Sequence, residues 1–183
     1  GRGGVKLAHA LKTFKLDVTG LTALDVGAST GGFTDVLLSG GAQHVYAVDV
    51  GSDQLHDNLR GDARVSVMEQ TDARQLTRAD FTRAIDIVVC DASFISATKI
   101  LGPAMSLSRP SAQLVTLVKP QFELGQAALS KGGVIRDKEL ARDAVSIVSS
   151  WISAQGWRLI DECKSPITGG SGNHEYLLHA LKV

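Results

Sequence analysis

Leu24-Asp25-Val26-Gly27-Ala28-Ser29-Thr30-Gly31-Gly32-Phe33-Thr34 decides the fold. A short apolar run ends in a glycine-rich turn, and residues 32–39 follow with Phe33, Val36 and Leu37 on one helical face. The segment therefore reads as strand, turn and helix start. Glycines at such a turn let backbone approach a ligand and let the helix pack closely on the strand. The turn is not a P-loop, because no Gly-Lys-Ser/Thr follows, and glycines at 27, 31 and 32 do not make a Gly-x-Gly-x-x-Gly fingerprint.

Further along the chain the same alternation recurs. The strands read at 22–27, 44–50, 65–69, 84–90 and 113–118, and their near-continuous apolar character suits a parallel sheet covered on both faces. Residues 138–154 carry apolar side chains at 140, 141, 144, 145, 147, 148, 151 and 152, which is the helical period, with Asp137 placed as N-cap and Gly156 as stop. Two more strands, 157–164 and 174–182, flank the tight segment 166–173 and read as an antiparallel hairpin. The expectation is an α/β, Rossmann-like fold: about seven strands, mostly parallel, with helices between the first five and an antiparallel edge hairpin. In such sheets ligands bind beyond the carboxyl ends of the strands, and the 27–32 loop, Asp49, Asp91 and Lys119 all fall at strand ends.

The 183 residues suffice for one domain with a real core. With 44% apolar and 21% charged residues the composition is that of a globular protein. No apolar run approaches a membrane span and no signal peptide is visible, so a cytoplasmic location without membrane insertion is expected. Cys90, inside an apolar run, and the distant Cys163 make neither a disulfide framework nor a metal site, which fits a reducing compartment. The sequence opens at Gly1 with no initiator Met and reads as a fragment or a trimmed chain.

Formal net charge is zero, but it is unevenly spread. Residues 1–16 carry +4, residues 17–57 carry −6 with no Lys or Arg, and the remainder carries +2. Nicotinamide, flavin and ATP cofactors bring phosphates, whose sites tend to include a basic partner. S-adenosylmethionine has no phosphate and carries a sulfonium cation, which suits an acidic rim. Asp49, 22 residues after Gly27, stands where a carboxylate accepts hydrogen bonds from both ribose hydroxyls. Asp72, after the third strand, is placed to meet an adenine amino group, although a lone Asp there also suits a cap.

Several further segments complete a pattern: Arg2-Gly3-Gly4-Val5-Lys6-Leu7, Val45 to Gly51, Asp91-Ala92-Ser93-Phe94-Ile95-Ser96, Val118-Lys119-Pro120-Gln121-Phe122-Glu123, Lys131 to Asp137, and Gly172-Asn173-His174-Glu175-Tyr176-Leu177. Together with Leu24 to Asp35 they resemble the methyltransferase domain of the TlyA family, within the FtsJ-like ribose 2′-O-methyltransferases, over essentially the whole chain. The glycine-rich loop is generic to class I methyltransferases, whereas the Lys-Pro-Gln-Phe-Glu and Lys-Gly-Gly-Val segments are more specific. The resemblance implies the class I S-adenosylmethionine-dependent methyltransferase fold over 1–183. It also implies a catalytic tetrad of Lys6, Asp91, Lys119 and Glu175. It implies a cofactor site of Gly27, Ser29, Gly31, Gly32 and Phe33, with Asp49 on the ribose, Asp72 on the adenine and Asp91 near the sulfonium. Thr30 and Phe33 stand where families of this fold often carry Pro or Trp. The implied substrate is ribosomal RNA, alone or in subunits, with Lys131, Arg136 and the basic 1–16 segment as candidate phosphate contacts. Full-length members add an N-terminal RNA-binding domain resembling ribosomal protein S4, which this sequence does not contain.

The residues leave Lys119 open between two roles. Lys6 opposes its protonation by like charge, while Asp91 and Glu175 favour it, so it acts either as base or as a cation stabilising an alkoxide. Three rivals stand beside ribose methylation. Asp91-Ala92-Ser93-Phe94 superficially resembles the Asp-Pro-Pro-Tyr motif of base-directed enzymes but lacks both prolines. A haemolysin-like, membrane-active role follows the label many family members carry. The third is a binding module with an inactive cofactor site.

Overall fold

The computed structural model describes residues 2–130 and 132–183. Lys131, one of the candidate phosphate contacts, lies outside the described residues. The strands are β1 (Thr22–Val26), β2 (His44–Val48), β3 (Val65–Met68), β4 (Ile87–Cys90), β5 (Gln113–Val118), β6 (Trp157–Lys164) and β7 (Tyr176–Lys182). They form one sheet in the order β3-β2-β1-β4-β5-β7-β6. The first five are parallel; β7 runs antiparallel to β5, and β6 pairs antiparallel with β7. The expected sheet and its edge hairpin are both present.

Alternation along each strand divides the core into two layers. Leu24, Val26, Val88, Cys90, Leu114 and Val118 face one side. There they meet α4 (Ala97–Ile100), α5 (Gly102–Leu107) and α7 (Lys138–Ala154). Ala23, Val45, Ala47, Val89, Val115 and Leu117 face the other, against α1 (Arg2–Thr13), α2 (Gly32–Ser39) and α3 (Asp57–Arg60). A last short helix, α6 (Pro120–Glu123), follows β5 directly. Helix α7 has the bounds its periodicity predicts: Asp137 caps it by accepting from the Glu139 N–H at 2.8 Å, and Gly156 turns the chain with φ of 84°.

Two elements differ from the sequence reading. Helix α1 was not expected, although Leu7, Ala10, Leu11 and Phe14 repeat at i, i+3, i+4 and i+7; the adjacent glycines at 3 and 4 mask the signal. Conversely, the β3–β4 connection holds only two 3-10 turns, Ala73–Gln75 and Arg78–Asp80. Side-chain caps from Asp72 and from the Thr77–Asp80 pair open these turns, and the segment offers no helical apolar stripe to extend them.

Strand order reverses at β1, because β2 and β3 lie on one side of it and β4 and β5 on the other. The crevice beyond the carboxyl ends of β1 and β4 is therefore the position where this architecture receives ligands.

Candidate active site

Gly27 closes β1 at that crevice with φ of 82°. A Cβ there would stand 2.7 Å from the Asp91 carbonyl oxygen at the end of β4, so only glycine lets the two strand ends meet this closely. Ser29 also sits in the left-handed region, at φ of 51°, and presents its backbone N–H to Asp49 Oδ2 at 2.7 Å. The second Asp49 oxygen accepts from the Gly51 N–H at 2.8 Å. Asp49 thus organises two loops while retaining unused lone pairs, since a carboxylate accepts about four hydrogen bonds.

A cavity of about 520 Å³ opens beside these loops, lined among others by Gly27, Ser29, Asp49, Asp72, Asp91 and Phe94. A smaller one of about 120 Å³ continues across Gly27 and Asp91 towards Arg2, Gly3, Gly32 and Phe33. The larger falls within the roughly 300–1,000 Å³ typical of small-molecule sites. Gly31 belongs to neither cavity. Its Cα faces Leu55 and Leu59, where a Cβ would stand 2.8 Å and 2.3 Å from their methyl groups, so the lack of a side chain serves helix packing. Phe33 is buried in the core and is one of the residues that line the smaller cavity. Asp72 lines the larger cavity, but its carboxylate is held by the Arg74 guanidinium at 2.8 Å and caps the following turn. The hydrogen bonds from Arg74 hold the Asp72 carboxyl below its ordinary range.

The four residues of the implied tetrad converge on the same rim as two ion pairs. Lys119 Nζ lies 2.6 Å from Asp91 Oδ1 and donates to Ser93 Oγ at 3.0 Å. Lys6 Nζ lies 2.6 Å from Glu175 Oε1, with both side chains buried. The sheet sets their adjacency: Val118 pairs with Tyr176, so Lys119 and Glu175 sit one position beyond, at neighbouring strand ends. Lys6 arrives from α1, whose Gly4 packs on Gly32 at the start of α2. Gly169 gives Glu175 its room, since a Cβ there would stand 2.3 Å from Oε2.

Several residues escaped the sequence reading. Ser93 shares the Lys119 ammonium. Asn173, 1% exposed, accepts from the Ile135 N–H at 2.7 Å and donates to the Gly133 carbonyl at 2.9 Å, so it ties the 133–135 segment to the loop that carries Glu175. Phe94 is 89% exposed with φ of 65°, a conformation a bulky residue adopts only when its surroundings impose it. Its ring lies 5.1 Å from that of Phe122, at the cavity mouth. The left-handed φ at 94 has no sequence signal, because Phe is not a residue that favours it. Arg2, Lys12, Lys15 and Arg136 are exposed.

Two buried groups flank the site. Asp25, fully buried in β1, accepts from Thr34 Oγ1 at 2.7 Å through Oδ2, while Oδ1 has no partner. Burial, opposed by the Thr34 bond and assisted by Asp91 and Asp49, pushes its carboxyl up to about 7. Burial likewise pushes the Cys90 thiol up to about 12, which leaves it a small apolar side chain. Among the described residues no helix is long and apolar enough to cross a membrane.

Comparison with known proteins bears on this arrangement. A family model described as FtsJ-like methyltransferase matches residues 1–182. The chain is 46% identical over 177 residues to the 16S/23S rRNA (cytidine-2'-O)-methyltransferase TlyA of Mycobacterium tuberculosis, covering 97% of this chain and 66% of that protein. It superposes with a TM-score of 0.97 at 43% identity on the crystal structure of a hemolysin-named protein from Lactococcus lactis, covering 100% of this chain and 88% of that one. An S-adenosylmethionine dependent methyltransferase from Mesorhizobium loti, only 14% identical, shares the fold at a TM-score of 0.73 over 99% of this chain and 100% of that one. With a family match over residues 1–182, this chain belongs to the FtsJ-like methyltransferase family.

Proposed function

We propose that the chain is the catalytic part of an S-adenosylmethionine-dependent methyltransferase acting on a ribose 2′-hydroxyl of ribosomal RNA. The observation that carries this reading is the Lys119–Asp91 ion pair: Asp91 lines both cavities, and Lys119, nearly buried, stands against it from the end of β5. The donor set fits the cofactor. Asp49 has lone pairs free for ribose hydroxyls, Gly27 lets the end of β1 come close to Asp91, and among the described residues the walls of the larger cavity bring no cation except Arg74, already paired with Asp72. S-adenosylmethionine supplies, when bound, a methyl group made electrophilic by its sulfonium.

The residues of this chain then position the acceptor and manage its charge. Lys119, fixed from two sides by Asp91 and Ser93, directs a positive charge at the place where the ribose oxygen becomes negative. Lys6 is paired with Glu175, and Lys119 with Asp91, whose carboxylate stands beside that positive charge at the strand end. This favours the stabilising role for Lys119 over the role of base, with the hydroxyl proton passing to solvent. Phe94, exposed beside the pair, offers a face on which the nucleobase of the acceptor stacks. The relative from Mycobacterium tuberculosis is named for the same modification on cytidine, which supports RNA as substrate and the ribose as target.

The test is labelled methyl transfer to ribosomal subunits by the chain and by Lys119→Ala, followed by digestion of the RNA to nucleosides. Label on the ribose, lost with Lys119→Ala, is the expected result. Label on a base makes the protein a base-directed enzyme, and absence of transfer together with absence of S-adenosylmethionine binding overturns the enzyme reading.

A further inference from the structure

Lys119 opens the short helix α6 and Glu123 closes it, so one turn of backbone presents both side chains towards the segment that follows β4. Glu123 Oε2 accepts from Ser96 Oγ at 2.5 Å, and Oε1 accepts from the Ala97 N–H at 2.8 Å. Ser96 in turn caps α4 by accepting from the Thr98 N–H at 3.1 Å. Burial raises the Glu123 carboxyl above its ordinary value, against the pull of those two donors.

The segment between β4 and α4 has no regular structure of its own. Its first residue is held by the sheet: the Asp91 N–H donates to the Val26 carbonyl at 3.1 Å. Its far end is held by Glu123. Between these anchors lie Ser93, which meets the Lys119 ammonium, and Phe94, which is kept in the left-handed region with its ring on Phe122 of the same short helix. A strained residue persists only where its surroundings fix it. Glu123 is the one carboxylate among the described residues that bonds both to Ser96 and to the start of α4.

We propose that Glu123 is a positioning residue: it fixes residues 93–97 so that Ser93 orients the Lys119 ammonium and Phe94 faces the acceptor nucleotide. It does not touch the reacting atoms. Because Asp91 is anchored independently by β4, Glu123 governs the acceptor side of the site more than the cofactor side. The inference rests on the methyl-transfer reading for its kinetic consequence, but the anchoring itself has a separate readout.

Three proteins decide it: wild type, Glu123→Ala and Glu123→Gln. Backbone hydrogen exchange over 93–97, methyl transfer to ribosomal subunits and calorimetric binding of S-adenosylmethionine are measured on each. In Glu123→Ala, exchange over 93–97 accelerates while β4 and β5 stay protected. Transfer then falls about tenfold or more through the acceptor KM and kcat, the scale expected when reacting groups are misplaced by a fraction of an ångström. Cofactor affinity changes less than the acceptor KM. Glu123→Gln restores most of both effects, since its carbonyl accepts from Ala97 and its amide donates to Ser96 Oγ. Unchanged exchange over 93–97 overturns the anchoring. Accelerated exchange with unchanged transfer, or equal losses for acceptor and cofactor, overturns the positioning role. A wild-type chain without transfer overturns the methyl-transfer reading, whereas the exchange result still decides whether Glu123 holds the segment.

Discussion

Gly4 and Gly32 meet backbone to backbone. A Cβ on Gly32 would stand 2.8 Å from the Gly4 nitrogen, and one on Gly4 would stand 3.2 Å from the Gly32 carbonyl oxygen. This contact seats α1 on the first turn of α2 and carries Lys6 to Glu175. Gly32→Ala therefore forces α1 away from the sheet, with an overpacking cost of about 1–3 kcal/mol. Chemical denaturation checks the stability, and methyl transfer falls with it because Lys6 leaves its place. Wild-type stability in Gly32→Ala would show that α1 tolerates a shift at this crossing.

The Lys6–Glu175 pair is buried, so breaking it from one side leaves an unpaired charge in the core. Glu175→Leu or Lys6→Met alone costs about 3–5 kcal/mol, whereas the double variant recovers most of that stability. Transfer activity stays low in all three, because the double variant restores packing without the charges. Thermal melts set beside activity separate the two effects; recovery of activity in the double variant would remove the pair from the chemistry.

Lys119→Ala is expected to lower kcat by about 10²–10³-fold, the range for loss of one preorganised charge at a developing anion. Lys119→Arg keeps the positive charge near Asp91 and retains more transfer, with the pH–rate profile of the wild type. An Arg variant as inactive as the Ala variant, with a changed profile, would assign Lys119 as the base.

Phe94→Ala weakens acceptor binding by about tenfold, since stacking of a base on an aromatic ring is worth roughly 1–3 kcal/mol. Binding of S-adenosylmethionine changes less, because its other wall residues remain. Titration with the acceptor RNA and with the cofactor gives the two affinities.

Asp25 links stability to pH. Its carboxyl is raised from 3.8 to about 7, so the folded protein keeps a proton that the unfolded chain releases in that interval. The stability this supplies is complete below the unfolded value and is lost as pH rises through the folded one. Asp25→Asn keeps an acceptor for Thr34 Oγ1 and removes the titration. Between roughly pH 4 and pH 8 the wild type loses stability relative to Asp25→Asn, by an amount of order a few kcal/mol. Denaturation midpoints of both proteins across that interval decide it; parallel curves would mean that Asp25 is ionised at both ends.

The sequence by itself determined the strands, the α/β class and which residues close the strands. Strand periodicity, the glycine-rich turn at Gly27 and the 3.6-residue stripe of α7 are local signals, set by side chains that each element must bury whatever its neighbours. The order of Asp49, Asp91 and Lys119 at strand ends followed from the same pattern. What only the tertiary structure decided was pairing. Lys6 joins Glu175 across 169 residues, Lys119 joins Asp91 across the β4–β5 step, and Asp72 takes Arg74 as its partner. Gly31 makes room for Leu55 and Leu59, and Glu123 holds Ser96. These relationships depend on which strand ends and helix faces the sheet order brings together. Hydrophobic patterning along the chain specifies what is buried, but partners distant in sequence are chosen only when the layers pack.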